Sequence, residues 1–200
     1  MSIARTIQQM EHGGAAAVQI EDQVQSKRCG HRPNKAIVSC EEMVERIKVA
    51  AKAKRDPSFG IMARTDAIAQ EGLEKGIQRC RAYVQAGADM IFAEAVTKLE
   101  DYRSITDQVQ APMLANLTEF GVTPLFTCEQ LRSVGVAMAL YPLSAFRAMN
   151  QAASAVYQGI RRQGTQRSLL PLMQTREELY QTLDYHRYEQ ILDQLQQQEK

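Results

Sequence analysis

The reactive side chains of this sequence are concentrated in one polar stretch, Lys27-Arg28-Cys29-Gly30-His31-Arg32-Pro33-Asn34-Lys35. Cations on one side of Cys29 and a histidine on the other would stabilise a thiolate, making Cys29 a group able to exchange a proton near neutral pH. A surface loop with an incidental cysteine has the same composition. Further polar groups recur at intervals, each at the carboxyl end of a short apolar run: Glu21-Asp22, Arg64-Thr65-Asp66, Glu94, Asn116-Leu117-Thr118-Glu119 and Tyr141-Pro142. Arg64, set between Met62-Ala63 and Thr65-Asp66, reads as a binding group, because a planar guanidinium takes a carboxylate through two parallel hydrogen bonds. Glu21 and Asp22 have the look of a metal pair. His12, His31 and His186 are too few and too scattered for a hydrolytic triad or a histidine metal cluster, and His31 reads as a loop-positioning group.

The apolar runs that precede these groups are AAAVQI (15–20), FGIMA (59–63), ADMIFA (88–93), APMLAN (111–116) and VAMALY (136–141). Each has strand length and is apolar on both faces, as in a parallel sheet covered by helices. Helical patterns lie between them. Leu73, Ile77, Cys80 and Val84 recur at helical spacing, with Gly87 placed as a C-cap glycine. Ser39 with Glu42, Thr97 with Glu100, Thr127 with Gln130 and Thr175 with Glu178 fit the capping box that opens a helix. The order is a helix followed by five strand-helix units. Polar groups at the carboxyl end of every strand favour a (β/α)8 TIM-barrel-type α/β fold over an open doubly wound sheet, and no GxGxxG or GxxxxGK[ST] loop is present.

A barrel of this kind takes eight strands and about 250 residues, whereas 200 residues supply five. Residues 3–10 already read as the interior of an amphipathic helix. The expectation is a single partial barrel over 1–200, shortened at its N-terminus, with 175–198 a C-terminal helix. The AAAVQI and VAMALY strands then form open sheet edges. With 24 basic against 23 acidic residues and 44% hydrophobic ones, the composition is that of a globular protein. Local excesses, nine Lys/Arg against three Glu over 25–55 and three against six acids over 175–200, balance out, so no nucleic-acid partner is expected. Cysteines 29, 40, 80 and 128 form no CxxC pair, and Cys40, Cys80 and Cys128 read as structural. Without an apolar span of about 18 residues or a signal peptide, the expected setting is the cytoplasm, with no membrane partner.

The sequence KRCGH, a few residues after an IED strand end, resembles the signature loop of the isocitrate lyase and phosphoenolpyruvate mutase superfamily. The RPNKAIVS continuation is most similar to members that cleave 2-methylisocitrate. The likeness runs on through MARTDA (62–67), FAEA (92–95), LANLTEFGVTPLF (114–126), ALYPLSAFRAMN (139–150) and MQTREELY (173–180), which is essentially the whole chain. The resemblance implies a magnesium-dependent retro-aldol cleavage of a small tricarboxylate to pyruvate and succinate, a step in propionate breakdown. Cys29 would be the general acid. Arg64, Arg147 and Arg176 match carboxylate-binding positions, and Cys29, Gly30, Glu94, Asn116, Leu117 and Thr118 match other ligand-contacting ones. Glu21 matches a group that acts on the metal from outside its direct ligands. The principal magnesium ligands and a glycine-rich substrate loop have no counterpart here, which implies weak or no activity of this chain alone. A homo-oligomer, tetrameric in the family, with C-terminal helices exchanged between subunits is the implied assembly. The alternatives are a non-catalytic relative that only assembles, and one acting on another 2-oxo or phosphonate acid.

Overall fold

The structure, a computed structural model, describes residues 2–29 and 35–198. Helix α1 (Ser2–His12) precedes strand β1 (Ala17–Glu21). There follow α2 (Cys40–Ala53), β2 (Gly60–Thr65), the short α3 (Ile68–Glu71), α4 (Leu73–Gln85), β3 (Met90–Ala93), α5 (Leu99–Gln108), β4 (Met113–Asn116), α6 (Cys128–Ser133), β5 (Met138–Leu140) and α7 (Ser144–Gln163). All strand pairs are parallel and the order in the sheet is the order in the chain, β1-β2-β3-β4-β5. A doubly wound sheet reverses direction at a switch point; this one does not, and so has the (β/α) barrel-type winding that the polar strand ends predicted. β1 and β5 are the outer strands.

Alternation along the strands separates two environments. Ile61, Ala63, Ile91, Ala93, Met113 and Ala115 are fully buried and pack with Met43 and Ile47 of α2, Ile77 and Cys80 of α4 and Tyr102 and Ile105 of α5. Burying one such Ile or Met side chain contributes roughly 1.5–3 kcal/mol, so this layer carries the fold. The residues between them, Glu21, Arg64, Phe92 and Asn116, belong to the opposite face. Gly87 (φ 109°) closes α4 where a Cβ would come within 2.7 Å of Ala51, so the α4 terminus lies against α2.

The helix starts follow the sequence in three cases of four. Thr127 and Thr175 form complete capping boxes with Gln130 and Glu178, and Ser39 accepts from the Glu42 amide. Thr97 does not cap: α5 begins one residue later, with Lys98 extended at its N-cap and no side-chain cap bond. The C-terminal segment is also not one helix. Asp184 adopts φ 52°, dividing it into α8 (Arg176–Leu183) and α9 (Tyr185–Gln198), with Tyr180 and Tyr185 stacked at 4.2 Å across the break. By internal packing the chain forms two compact units, up to Ser144 and from Ala145 onward. The second holds most of α7, a 3₁₀ turn (Arg167–Leu172), α8 and α9.

Candidate active site

The strand ends bring together groups that lie up to 95 residues apart in the chain. Parallel register sets Glu21 opposite Arg64 and Arg64 opposite Phe92, on the sheet face away from the helices. The guanidinium of Arg64 touches three carboxylates: Asp66 (3.0 Å), Glu94 (3.1 Å) and Glu21 (3.5 Å). It also lies over the Phe92 ring, 4.8 Å from the centroid, in a cation–π arrangement. Burial opposes the charge on Arg64, but the hydrogen bond to Asp66 and the charges of Glu94, Asp66 and Glu21 outweigh it, so protonation is more firmly held than usual. Asn116 donates to Glu94 at 3.4 Å. Ala95, immediately after Glu94, has φ 61°, a left-handed conformation that a non-glycine residue adopts only when its surroundings impose it.

Asp22 does not share the site with Glu21. Adjacent strand residues point to opposite faces, and Asp22 lies fully buried toward the helices. It accepts from the Thr65 hydroxyl (2.6 Å), the Asp66 amide (2.9 Å) and the Tyr83 hydroxyl (2.9 Å). Arg79 approaches at 3.7 Å while binding Glu71 with two bonds of 2.8 Å. Burial pushes the Asp22 carboxyl above the ordinary range, and its hydrogen-bond donors and Arg79 offset only part of that. The role of Asp22 is architectural: it pins the Arg64-Thr65-Asp66 turn from behind.

The Cys29 loop is tied to the same strand ends. Lys27 pairs with Glu21 at 2.9 Å, and Glu21 with Arg64. On the loop's return, Lys35 reaches Asp66 at 2.9 Å; their side chains are 4% and 0% exposed. Burial tends to raise the Asp66 carboxyl, but Arg64 and then Lys35 prevail and hold it below its usual value. Cys29 itself is exposed. Gly30 and His31 lie outside the described residues. Leu117 and Thr118 follow Asn116 as buried residues; Leu117 joins the helix-side core and its amide donates to Leu140 O at 2.9 Å. Arg147 in α7 and Arg176 at the start of α8 are exposed residues of the second unit. Cys80 is buried, its thiol pushed up to about 12 by burial, and Cys128 is exposed, 3.2 Å from the Tyr141 hydroxyl. Sequence reasoning missed Lys35 and Asp66 as an ion pair and Gln23 as a loop anchor. Their only signal was position, Lys35 closing the reactive stretch and Gln23 next to the first strand end.

Among the described residues no group of three or more His, Cys, Asp or Glu is placed to hold a metal ion. The carboxylates at the mouth are each engaged by a cation or an amide, and Asp22 faces away. This donor set does not fit direct coordination of a hard cation, which takes several free oxygens. Also among the described residues, no helix is long and apolar enough to cross a membrane.

A singly wound parallel sheet with charged side chains converging at its carboxyl ends defines a (β/α) barrel-type scaffold whose chemistry sits at one mouth. Residues 1–161 match the family model described as phosphoenolpyruvate phosphomutase, and the chain belongs to that family, within the isocitrate lyase and phosphoenolpyruvate mutase superfamily. It is 62% identical over 194 residues to the 2-methylisocitrate lyase of Escherichia coli K12, a match covering 97% of this chain and 66% of that protein. Among solved structures, 2,3-dimethylmalate lyase superposes with a TM-score of 0.85 at 31% identity, covering 96% of this chain and 64% of that one. A phosphonopyruvate hydrolase in complex with oxalate and magnesium superposes at 0.80 with 25% identity, covering 94% and 66%. The chain thus spans about two thirds of the length of these relatives.

Proposed function

We propose that this chain builds the substrate-binding mouth of a cytoplasmic carbon–carbon lyase that splits 2-methylisocitrate into pyruvate and succinate, a step in propionate breakdown. What carries the reading is Arg64, held over the strand ends against Glu94 and Asp66 in a chain so similar to a 2-methylisocitrate lyase. In the cleavage the substrate hydroxyl gives its proton to solvent and becomes the carbonyl of pyruvate. The electron pair of the broken carbon–carbon bond passes to the succinate carbon, and the Cys29 thiol supplies the proton that quenches it. Arg64 binds a substrate carboxylate in place of part of its own carboxylate shell.

Charge explains why Arg64 needs help. Lys27, Lys35 and Arg64 are formally balanced by Glu21, Asp66 and Glu94, so a tricarboxylate meets a neutral cluster. By the same resemblance Gly30, Asn116, Leu117 and Thr118, and in the second unit Arg147 and Arg176, are proposed as further substrate-binding residues. Magnesium belongs to the reading as the supplier of additional positive charge, with Glu21 outside its direct ligands. Pyruvate release from 2-methylisocitrate and magnesium is expected to stay well below the about 1–10³ s⁻¹ of ordinary enzymes, because the mouth's carboxylates are already engaged. Titration calorimetry with succinate is the direct test. Binding that Arg64→Met weakens at least tenfold supports the reading; absence of binding, or equal binding by the variant, rejects it.

A further inference from the structure

One side chain grips the loop immediately before Cys29. Gln23, only 3% exposed, donates from Nε2 to the carbonyl of Arg28 (2.9 Å) and accepts at Oε1 from the Arg28 amide (2.8 Å). A carboxamide offers a donor and an acceptor side by side, as a peptide group does. Gln23 therefore holds Arg28 as a neighbouring strand would. The anchor is itself fixed. Gln23 bridges Ile37 in antiparallel fashion, and the loop base is closed by Val38 N to Asp22 O (2.7 Å) and Val24 N to Ala36 O (3.0 Å). Arg46 reaches the carbonyls of Glu21 and Gln23, each at 3.4 Å. The backbone of Arg28 is thus referred back to the strand end that presents Glu21 to Arg64, and Cys29 is the next residue.

We infer that Gln23 is a positioning residue for Cys29, setting where and in what surroundings the thiol meets its substrate. This rests on the reading of Cys29 as the proton donor of the proposed cleavage. The pairing with both atoms of one peptide makes the claim specific to the carboxamide. Glu at this position keeps the length and one acceptor, but sets an acceptor against the Arg28 carbonyl and adds a negative charge beside the thiol's loop.

Two measurements on the whole chain test it. In the native chain, hydrogen exchange followed by NMR should find the Arg28 amide at least tenfold slower than an open chain. In Gln23→Glu, where the second carboxylate oxygen repels the Arg28 carbonyl and opposes the remaining amide bond, that protection should fall at least threefold. Alkylation of Cys29 by iodoacetamide at pH 7.5, followed by peptide mass spectrometry, should slow at least threefold in the variant, with its pH profile displaced upward and the exposed Cys128 unchanged. An Arg28 amide exchanging at the open-chain rate in the native protein overturns the inference, whether or not the variant folds. So does an unaltered Cys29 rate, or a change shared equally by Cys128. Neither readout uses a substrate: a chain that fails to bind succinate yet shows both responses rejects the lyase reading and leaves the role of Gln23 standing.

Discussion

Arg64 satisfies several buried acids at once, and its removal should cost more than any one contact suggests. Arg64→Met keeps the aliphatic packing but strips a cation from Asp66 and Glu94, whose side chains are almost wholly buried. Breaking a buried pair by deleting one partner costs about 3–5 kcal/mol, because an uncompensated charge is left behind. Urea unfolding at pH 7 should show a loss of about 3 kcal/mol; a loss under 1 kcal/mol would mean that Lys35 alone suffices for Asp66. Asp22 responds in the opposite sense to pH. Its carboxyl titrates above its ordinary 3.8 when folded, so between that value and the folded one the native state holds a proton the unfolded chain has released. Stability from this group is therefore fully present below about 3.8 and is lost as the pH rises through the folded value. Asp22→Asn keeps an acceptor for the Asp66 amide, while Thr65 and Tyr83 can each turn to accept from the new amide. The difference in unfolding free energy between native chain and variant should move in the variant's favour from pH 4 to pH 7. The reverse trend would refute the assignment.

At the scale of elements, the Arg64-Thr65-Asp66 turn leads directly into the short α3, and α3 is seated on α4 through a missing side chain. A Cβ at Gly76 would stand 2.4 Å from Cγ1 of Ile68, inside any real contact. Gly76→Ala gains about 1 kcal/mol of helix propensity, yet forces α3 to move, at a typical overpacking cost of about 1–3 kcal/mol. Net destabilisation of about 1 kcal/mol is expected in urea unfolding, and succinate binding should weaken with it if α3 helps aim Arg64. What was legible in the sequence divides along the same line. Strand runs and three of four helix starts were readable because they depend on neighbours within a few residues: Thr127 and Gln130, or Thr175 and Glu178. Thr97 carried the same signature but lost to Lys98, whose extended backbone (φ −132°, ψ 147°) begins α5 without a side-chain cap. The polar clamp on the site was not legible. Asp22 meets Tyr83 across 61 residues and Lys35 meets Asp66 across 31, and no local pattern encodes such pairings. Glu21-Asp22 looked like one acidic pair because pleat alternation, which sends the two carboxylates to opposite faces, is a property of the strand and not of either residue.

At the scale of the whole molecule, the remaining question is what covers the second unit. On α9, Tyr188, Ile191, Leu192 and Leu195 recur at i, i+3, i+4 and i+7, the spacing of a helix that buries one stripe. They are nevertheless 63%, 42%, 59% and 54% exposed. A full Leu or Ile burial is worth roughly 1.5–3 kcal/mol, so leaving this stripe in water forfeits several kcal/mol that association with a second copy would recover. A homo-oligomer with exchanged C-terminal helices, the assembly that the family resemblance implies, would supply such cover. Leu192→Glu combined with Leu195→Glu places two charges in the stripe and leaves every residue of the first unit unchanged. Sedimentation velocity at tens of micromolar should give the native chain as a species several times its 22.5 kDa mass and the double variant as a 22.5 kDa monomer. The variant's Arg28 amide should stay as protected as before, because its anchor lies wholly in the first unit. A native chain that sediments at 22.5 kDa would exclude the exchange and require α9 to find its apolar partner within its own chain.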